Sequence, residues 1–215
     1  MNPCFLSLKV SAAVDETAIA AWVDALEAMR GTVLAAAPAS LTQPLEPGTC
    51  HTGIVIARFA FVDDRDAFWE SAKAQGLVAA DPGLVALACD GIAYEGWPGN
   101  FIPTIATVDV PDAGSPRTFM LIEGTGTDQD RMDRYRDIIL PMMRERGAYY
   151  IAFELGGAVK VLAGAWNEGI FAISRWPSSI LAQDFWFSEK YQNEAIPIRT
   201  GVGKFDVQIV EGIAG

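Results

Sequence analysis

Arg199 stands in "IPIR" (Ile196–Arg199), between a helix-like stretch and the last strand-like run of the chain, where a cleft mouth can open. A guanidinium there can hold a carboxylate or an enolate oxygen through two N–H groups. The alternative is a salt bridge to Glu194 or another acid. Glu154 is flanked by Phe153 and Leu155. A carboxylate set into an apolar wall is pushed toward its neutral form and can act as a base; at an edge facing water it would do neither. His51, in "PGTCHTG", is the only histidine. It can move a proton near neutral pH, or be a plain surface side chain. These three are the candidate catalytic residues, Arg199 to hold an oxyanion and Glu154 or His51 to move a proton.

A second group has the composition of a ligand-binding wall. Arg58 and Arg175 sit among apolar neighbours on strand-like runs. A buried arginine must be paired, and Glu95 and Glu211, at the ends of later strands, are natural partners. Such Arg-Glu pairs are structural, or they position a polar ligand from a cavity wall. Trp166, Trp97 and Tyr149 flank loops, where aromatic side chains can line a pocket. Trp69 and Trp186 lie at helical spacing beside Phe68 and Phe185 and read as core.

The rest of the composition removes alternatives. One histidine and no CxxC pair rule out a multi-histidine or zinc-ribbon site, and haem would have His51 alone as its histidine ligand. No P-loop and no GxGxxG is present; "EGTGTDQD" (Glu123–Asp130) reads as a turn feeding a helix cap. No cofactor and no metal is expected. The net charge of −11, from 27 acidic and 16 basic residues, disfavours nucleic acid and anionic membranes as partners. No apolar run approaches the roughly 20 residues that cross a bilayer. The start is not signal-like, and three cysteines without a close pair suit a reduced, cytoplasmic setting.

The elements that must position these residues are written twice. "DAFWESAKAQ" (Asp66–Gln75) returns as "QDFWFSEKYQ" (Gln183–Gln192): Phe68 and Phe185 differ by 117, as do Ser71 and Ser188, and Gln75 and Gln192. Arg58 and Arg175 share that offset. "CDGIAYEG" lies over "FDVQIVEG" at 116, and "FLSL" (Phe5–Leu8) over "FMLI" (Phe119–Ile122) at 114. A drifting offset over half of 215 residues is a duplication with small loop insertions. Each half reads strand, helix, strand, strand, helix, strand, with "AVKVLAGAW" adding an extended segment in the second. "DDRDAFWESAKAQG" reads as one helix capped by Asp63 or Asp64 and closed by Gly76, and "SSILAQDFWFSEKYQ" as another. Pro141 is expected to kink or end its helix. The fold class is α+β: two tandem ferredoxin-like β-α-β-β-α-β units, residues 1–110 and 111–215, joined near Asp109–Arg117. Their strands are apolar on both faces, so sheet should pack on sheet as an intramolecular α/β-barrel pseudo-dimer, which can pair further as a homodimer.

From Tyr149 to Gly212 the chain resembles the DUF1330 family of the dimeric α/β-barrel superfamily. "LAGAW" (Leu162–Trp166), "FWFSEKYQ" (Phe185–Gln192), "IPIR" and "VEG" (Val210–Gly212) carry the resemblance, with "YRDIILPMMRERG" upstream. Ala163 stands where the family has Glu before the glycine of its "EGxW" segment, and Arg199 has no first-half counterpart, since an offset of 117 lands on Pro82. The resemblance implies two units closing a barrel around a cavity for a small organic molecule. It also implies kinship with cofactor-free monooxygenases, haem enzymes, lactone isomerases and stress-response proteins. A cofactor-independent monooxygenase- or isomerase-like enzyme and a non-catalytic ligand-binding or assembly protein are both compatible with it.

Overall fold

The computed structural model describes residues 3–92, 117–155, 158–167 and 169–213. The first half contributes β1 (Cys4–Val10), α1 (Glu16–Glu27), β2 (Thr32–Ala37), β3 (Thr42–Pro44), β4 (Gly53–Phe59), α2 (Val62–Glu70), α3 (Ala72–Ala80) and β5 (Val85–Asp90). The second contributes β6 (Thr118–Gly124), α4 (Gln129–Glu145), β7 (Tyr149–Leu155), β8 (Lys160–Ala163), β9 (Ile170–Trp176), α5 (Ser179–Phe187), α6 (Ile196–Arg199) and β10 (Phe205–Glu211). The expected boundary near residue 110 lies outside the described residues, as do Glu95 and Trp97. No described helix is long and apolar enough to cross a membrane.

The two halves repeat one antiparallel strand order, β2-β4-β1-β5 and β7-β9-β6-β10, which is the ferredoxin-like order. Each sheet then gains a fifth strand from the other half. β3 pairs with β10 of the second unit, and β8 pairs with β5 of the first. The loop between β2 and β4 reads as a linker in sequence, because three residues are too few to carry an alternating pattern.

Alternation along the strands sorts side chains into three layers. Leu6, Leu8, Val55 and Ala57 point toward the first unit's helices, packing with Trp22, Leu26 and Phe68. Met120, Ala172, Trp176 and Val207 point toward the second unit's helices. Between the sheets lie Phe5, Ile54, Ile56 and Leu87 of one half against Phe119, Leu121, Phe171 and Ile173 of the other. That middle layer buries the second apolar face of each sheet, so the halves form a pseudo-dimer within one chain.

The repeated phrase encodes a broken helix, where the sequence reads as one continuous helix in each half. Phe68 and Phe185 are buried anchors. Ser71 and Ser188 follow with extended backbone, ψ 147° and 146°, ending one helix and capping the next segment. Ser71 Oγ accepts from Ala74 N at 3.2 Å and Ser188 Oγ from Tyr191 N at 3.3 Å. The break orphans the carbonyls of Trp69 and Trp186, and Gln75 and Gln192 donate to them at 2.7 and 2.6 Å. Gly76 therefore lies inside α3 rather than closing it, and α2 starts at Val62 ahead of Asp63 and Asp64. Pro141 does not end α4, which runs on to Glu145. Its ring removes the partner of the Asp137 carbonyl, and both residues are exposed, so water can supply that bond.

Candidate functional site

A cavity of about 480 Å³ lies inside the second unit, between its sheet and helices α4 to α6. It lies on the helix side of the sheet, whereas the cavity implied by the resemblance was one enclosed by the barrel; between the sheets the described residues form a packed apolar layer. The floor is apolar, formed by Met120, Ile122, Ala172, Trp176 and Val207 from the sheet. Helix α4, capped by Asp128 accepting from Arg131 N at 3.0 Å, presents Met132, Tyr135, Arg136, Ile139 and Met143 at helical spacing. Asp133 and Arg136, 2.9 Å apart on the same helix, also line it.

The polar end is built around Arg199, only 4 % exposed. After the break at Ser188 the chain makes a π-helical turn, Tyr191–Ala195, and then α6, which brings Tyr191 and Arg199 to the cavity. Arg131 of α4 ties this segment down, donating to Thr200 O at 2.8 Å. The Arg199 guanidinium carbon lies 4.7 Å from the Phe205 ring centre, 5.6 Å from Trp186 and 5.9 Å from Tyr135. Its Nη2 pairs with Glu46, and its buried Nε has no hydrogen-bond partner.

Glu46 comes from the other half. It follows β3 on a segment fastened to β10, where Leu45 N donates to Val207 O at 2.8 Å and Val207 N to Thr49 Oγ1 at 3.1 Å. Glu46 does not line the cavity. The pairing settles the acid that Arg199 was expected to find: Glu46, 153 residues away, and not Glu194.

Tyr135 and Tyr191 share one hydrogen bond, O to O 2.9 Å, beside the guanidinium. Burial pushes both hydroxyls above the usual tyrosine range, Tyr191 well above it, partly opposed by the nearby Arg199 charge. They are therefore neutral donors at pH 7 and cannot serve as bases. Ser174, also on the wall, accepts from Trp176 Nε1 at 2.9 Å. Among the described lining residues Asp133 is the one carboxylate.

Of the catalytic and ligand-binding candidates named from sequence, Arg199 alone among the described residues lines this cavity, together with Phe185 and Trp186, which were read as core. Glu154 pairs in register with Phe171 and so faces the inter-sheet layer; burial and the nearby Asp90 push its carboxyl upward. It is not beside Arg199, because successive strand residues point to opposite faces. His51 is exposed, its Nε2 3.0 Å from Thr42 O, away from the cavity. Arg175 also faces between the sheets, over the Phe119 ring at 5.7 Å, with Tyr149 opposite it on β7. The Arg175 Nε and Tyr149 hydroxyl are buried without hydrogen-bond partners. Arg58 shares the face of Ile54 and Ile56 in the first sheet. Glu211 is exposed and accepts from Ser179 at 3.0 Å, so it does not pair with Arg175. Trp166 packs edge-on to Phe171, 6.4 Å between centres, in the inter-sheet layer.

The two units differ in the residues that fill the layer between each sheet and its helices. Aligned on their caps Asp15 and Asp128, α1 and α4 place Trp22 opposite Tyr135. In the repeated phrase Ala74 stands opposite Tyr191 at the offset of 117. In the first unit Trp22 fills the space against Phe68, 6.4 Å between ring centres. Tyr135, Tyr191 and Glu46 were missed in sequence. The signal available for Tyr191 was its position, between the matched Lys190 and Gln192, where the first copy has Ala74.

Fold and site together define a tandem pseudo-dimer of ferredoxin-like units, the architecture of the dimeric α/β-barrel proteins. Residues 117–213 match the model of DUF1330, a domain of unknown function. No curated protein matches the chain. Among solved structures it is similar to a Lactobacillus acidophilus protein described as a "putative monooxygenase", with 14% identity, TM-score 0.50 and all of both chains covered. It is similar also to an anthrone oxidase-like protein, with 7% identity over 99% of this chain and 91% of that one, TM-score 0.54. A dye-decolorizing protein from V. cholerae matches at 9% identity over 97% and 92%, TM-score 0.54. At these identities the likeness is one of fold.

Proposed function

We propose that the second unit is a receptor for one small, largely apolar organic molecule, held by its ring system in the cavity and by one oxygen at the Arg199 end. The observation that carries this is an apolar chamber of about 480 Å³ with Arg199 and the Tyr135–Tyr191 pair together on its wall. Small-molecule sites run from roughly 300 to 1,000 Å³ and combine apolar walls with a few convergent polar groups. One tyrosine of the Tyr135–Tyr191 pair donates to the other, leaving one O–H to give, and the Arg199 Nε–H is unused. These donors would polarise a bound oxygen, as isomerase-like or cofactor-free oxygenation chemistry requires, and Asp133 is the carboxylate available for proton transfer. The names of the fold neighbours agree with that chemistry.

The test is a binding screen of bicyclic ketones, phenols and quinones by calorimetry, on the natural chain and on Ala172→Leu. Ala172 forms floor and is 1 % exposed. The leucine should occupy the chamber, abolish binding and leave melting unchanged or higher. A blank panel with the natural chain, or ligands that bind Ala172→Leu equally well, refutes the reading.

A further inference from the structure

We infer that Glu46, supplied by the first half, makes the second-unit cavity select neutral oxygen-bearing molecules and reject carboxylates. This rests on the receptor reading and names its ligand class. An arginine in an aromatic chamber is ordinarily a carboxylate anchor, because its fork offers two parallel N–H groups. Here Nη2 is already engaged by Glu46, so the polar end carries one positive and one negative charge and is neutral overall. The groups facing it from each packed element are Tyr135 on α4, Tyr191 on the π-helical turn and Glu46 on the segment after β3. Both tyrosines are uncharged donors. The other cation among the described lining residues, Arg136, is paired with Asp133 at 2.9 Å.

A ligand carboxylate on the cavity side would lie about 7 Å from the Glu46 carboxylate, across one guanidinium. At an effective dielectric near 20 that repulsion weakens binding by about fiftyfold. A ketone, quinone or ether oxygen accepts from the Arg199 Nε–H and the spare tyrosine O–H without adding charge. The aromatic ring of such a ligand has Phe153, Trp176 and Phe185 to pack against. The first half, which keeps no Arg199 counterpart, thus takes part in the site by setting its charge.

The experiment compares two probes of one shape, methyl 1-naphthyl ketone and 1-naphthoate, by calorimetry. With the natural chain at pH 7 the ketone should bind and the naphthoate should bind at least tenfold more weakly. Glu46→Gln should strengthen naphthoate by about fiftyfold while changing the ketone by less than threefold. Should the variant fold poorly, the natural chain still decides. A proton on the ligand removes the repelled charge, so naphthoate's affinity should rise as pH falls from 7 toward the ligand's own carboxylate range, and the ketone's should stay level. Naphthoate that binds the natural chain as tightly as ketone, independently of pH, overturns the role of Glu46 and leaves the receptor reading standing. Failure of both probes on both proteins removes the receptor reading and this inference with it.

Discussion

Replacing Lys9 by methionine should cost far more than a surface lysine does, because its partner is Glu123 in the layer between the sheets. Lys9 shares the strand face of Phe5, and Glu123 the face of Phe119 and Leu121. The Lys9 side chain is 17% exposed and that of Glu123 only 2%. Methionine preserves the stem and deletes the charge that faces the Glu123 carboxylate, whose neighbour directly across the ladder is Asp206. Removing one member of a buried pair typically costs roughly 3–5 kcal/mol, against a total stability of about 5–15 kcal/mol. For a chain of this length that corresponds to a melting shift of roughly 6–20 °C. Replacing both, Lys9→Met with Glu123→Leu, should recover most of the loss, since well-packed apolar pairs match or exceed buried ion pairs. Urea unfolding at pH 7, followed by tryptophan fluorescence, measures all three free energies. A Lys9→Met loss below about 1 kcal/mol, or a double variant no better than the single one, refutes the assignment of this pair to a desolvated interface. The positions differ by 114, the offset that also relates Phe5 to Phe119. In a symmetric dimer of one unit these two sites would carry the same residue and repel; duplication lets them diverge to opposite charges.

Two further outcomes follow from the geometry. Ser188→Ala and Gln192→Ala should each cost about 1 kcal/mol by denaturant unfolding, and Ser71→Ala and Gln75→Ala similar amounts, since each group satisfies backbone left open at a helix break. Only the second-half pair should also weaken ligand binding, because that break delivers Tyr191 and Arg199. Glu154 should give a pH signature: its carboxyl is raised in the folded state, so the folded chain binds that proton more tightly than the unfolded chain. Its contribution to stability is therefore present in acid and is lost as pH rises through and above the ordinary carboxylate range. Glu154→Gln should melt higher than the natural chain at pH 7 and equally at pH 4; equal melting at both pH values would contradict the burial described.

The duplication and the layer order were legible in sequence because strand and helix periods differ and recur at an offset that drifts only between 114 and 117. The buried role of Phe68, Phe185 and Trp186 was legible for the same reason, while Trp69 packs on the core only partly buried. The helix breaks were not, because Ser-x-x-x-Gln chemistry involves side-chain bonds to backbone that propensity does not register. The exchanged strand β3 was hidden by its three-residue length. In the site, Arg199 was visible from its motif and position. Glu46 was not, as nothing local announces a partner 153 residues away. Arg175 and Glu154 were misplaced for a single reason. Alternation says that a strand residue faces one of two layers, and sequence alone does not say which layer holds the void.

The reciprocal exchange of β3 and β8 makes the halves inseparable as modules. A fragment cut to residues 117–213 would keep the whole cavity wall yet bare the β10 edge that β3 covers. It would also leave the cavity's cation without its counter-ion. Such an edge invites a neighbour's strand. The smallest autonomous form of this architecture is thus the full interlocked chain, and the region that carries the family resemblance is a component that its sibling must complete.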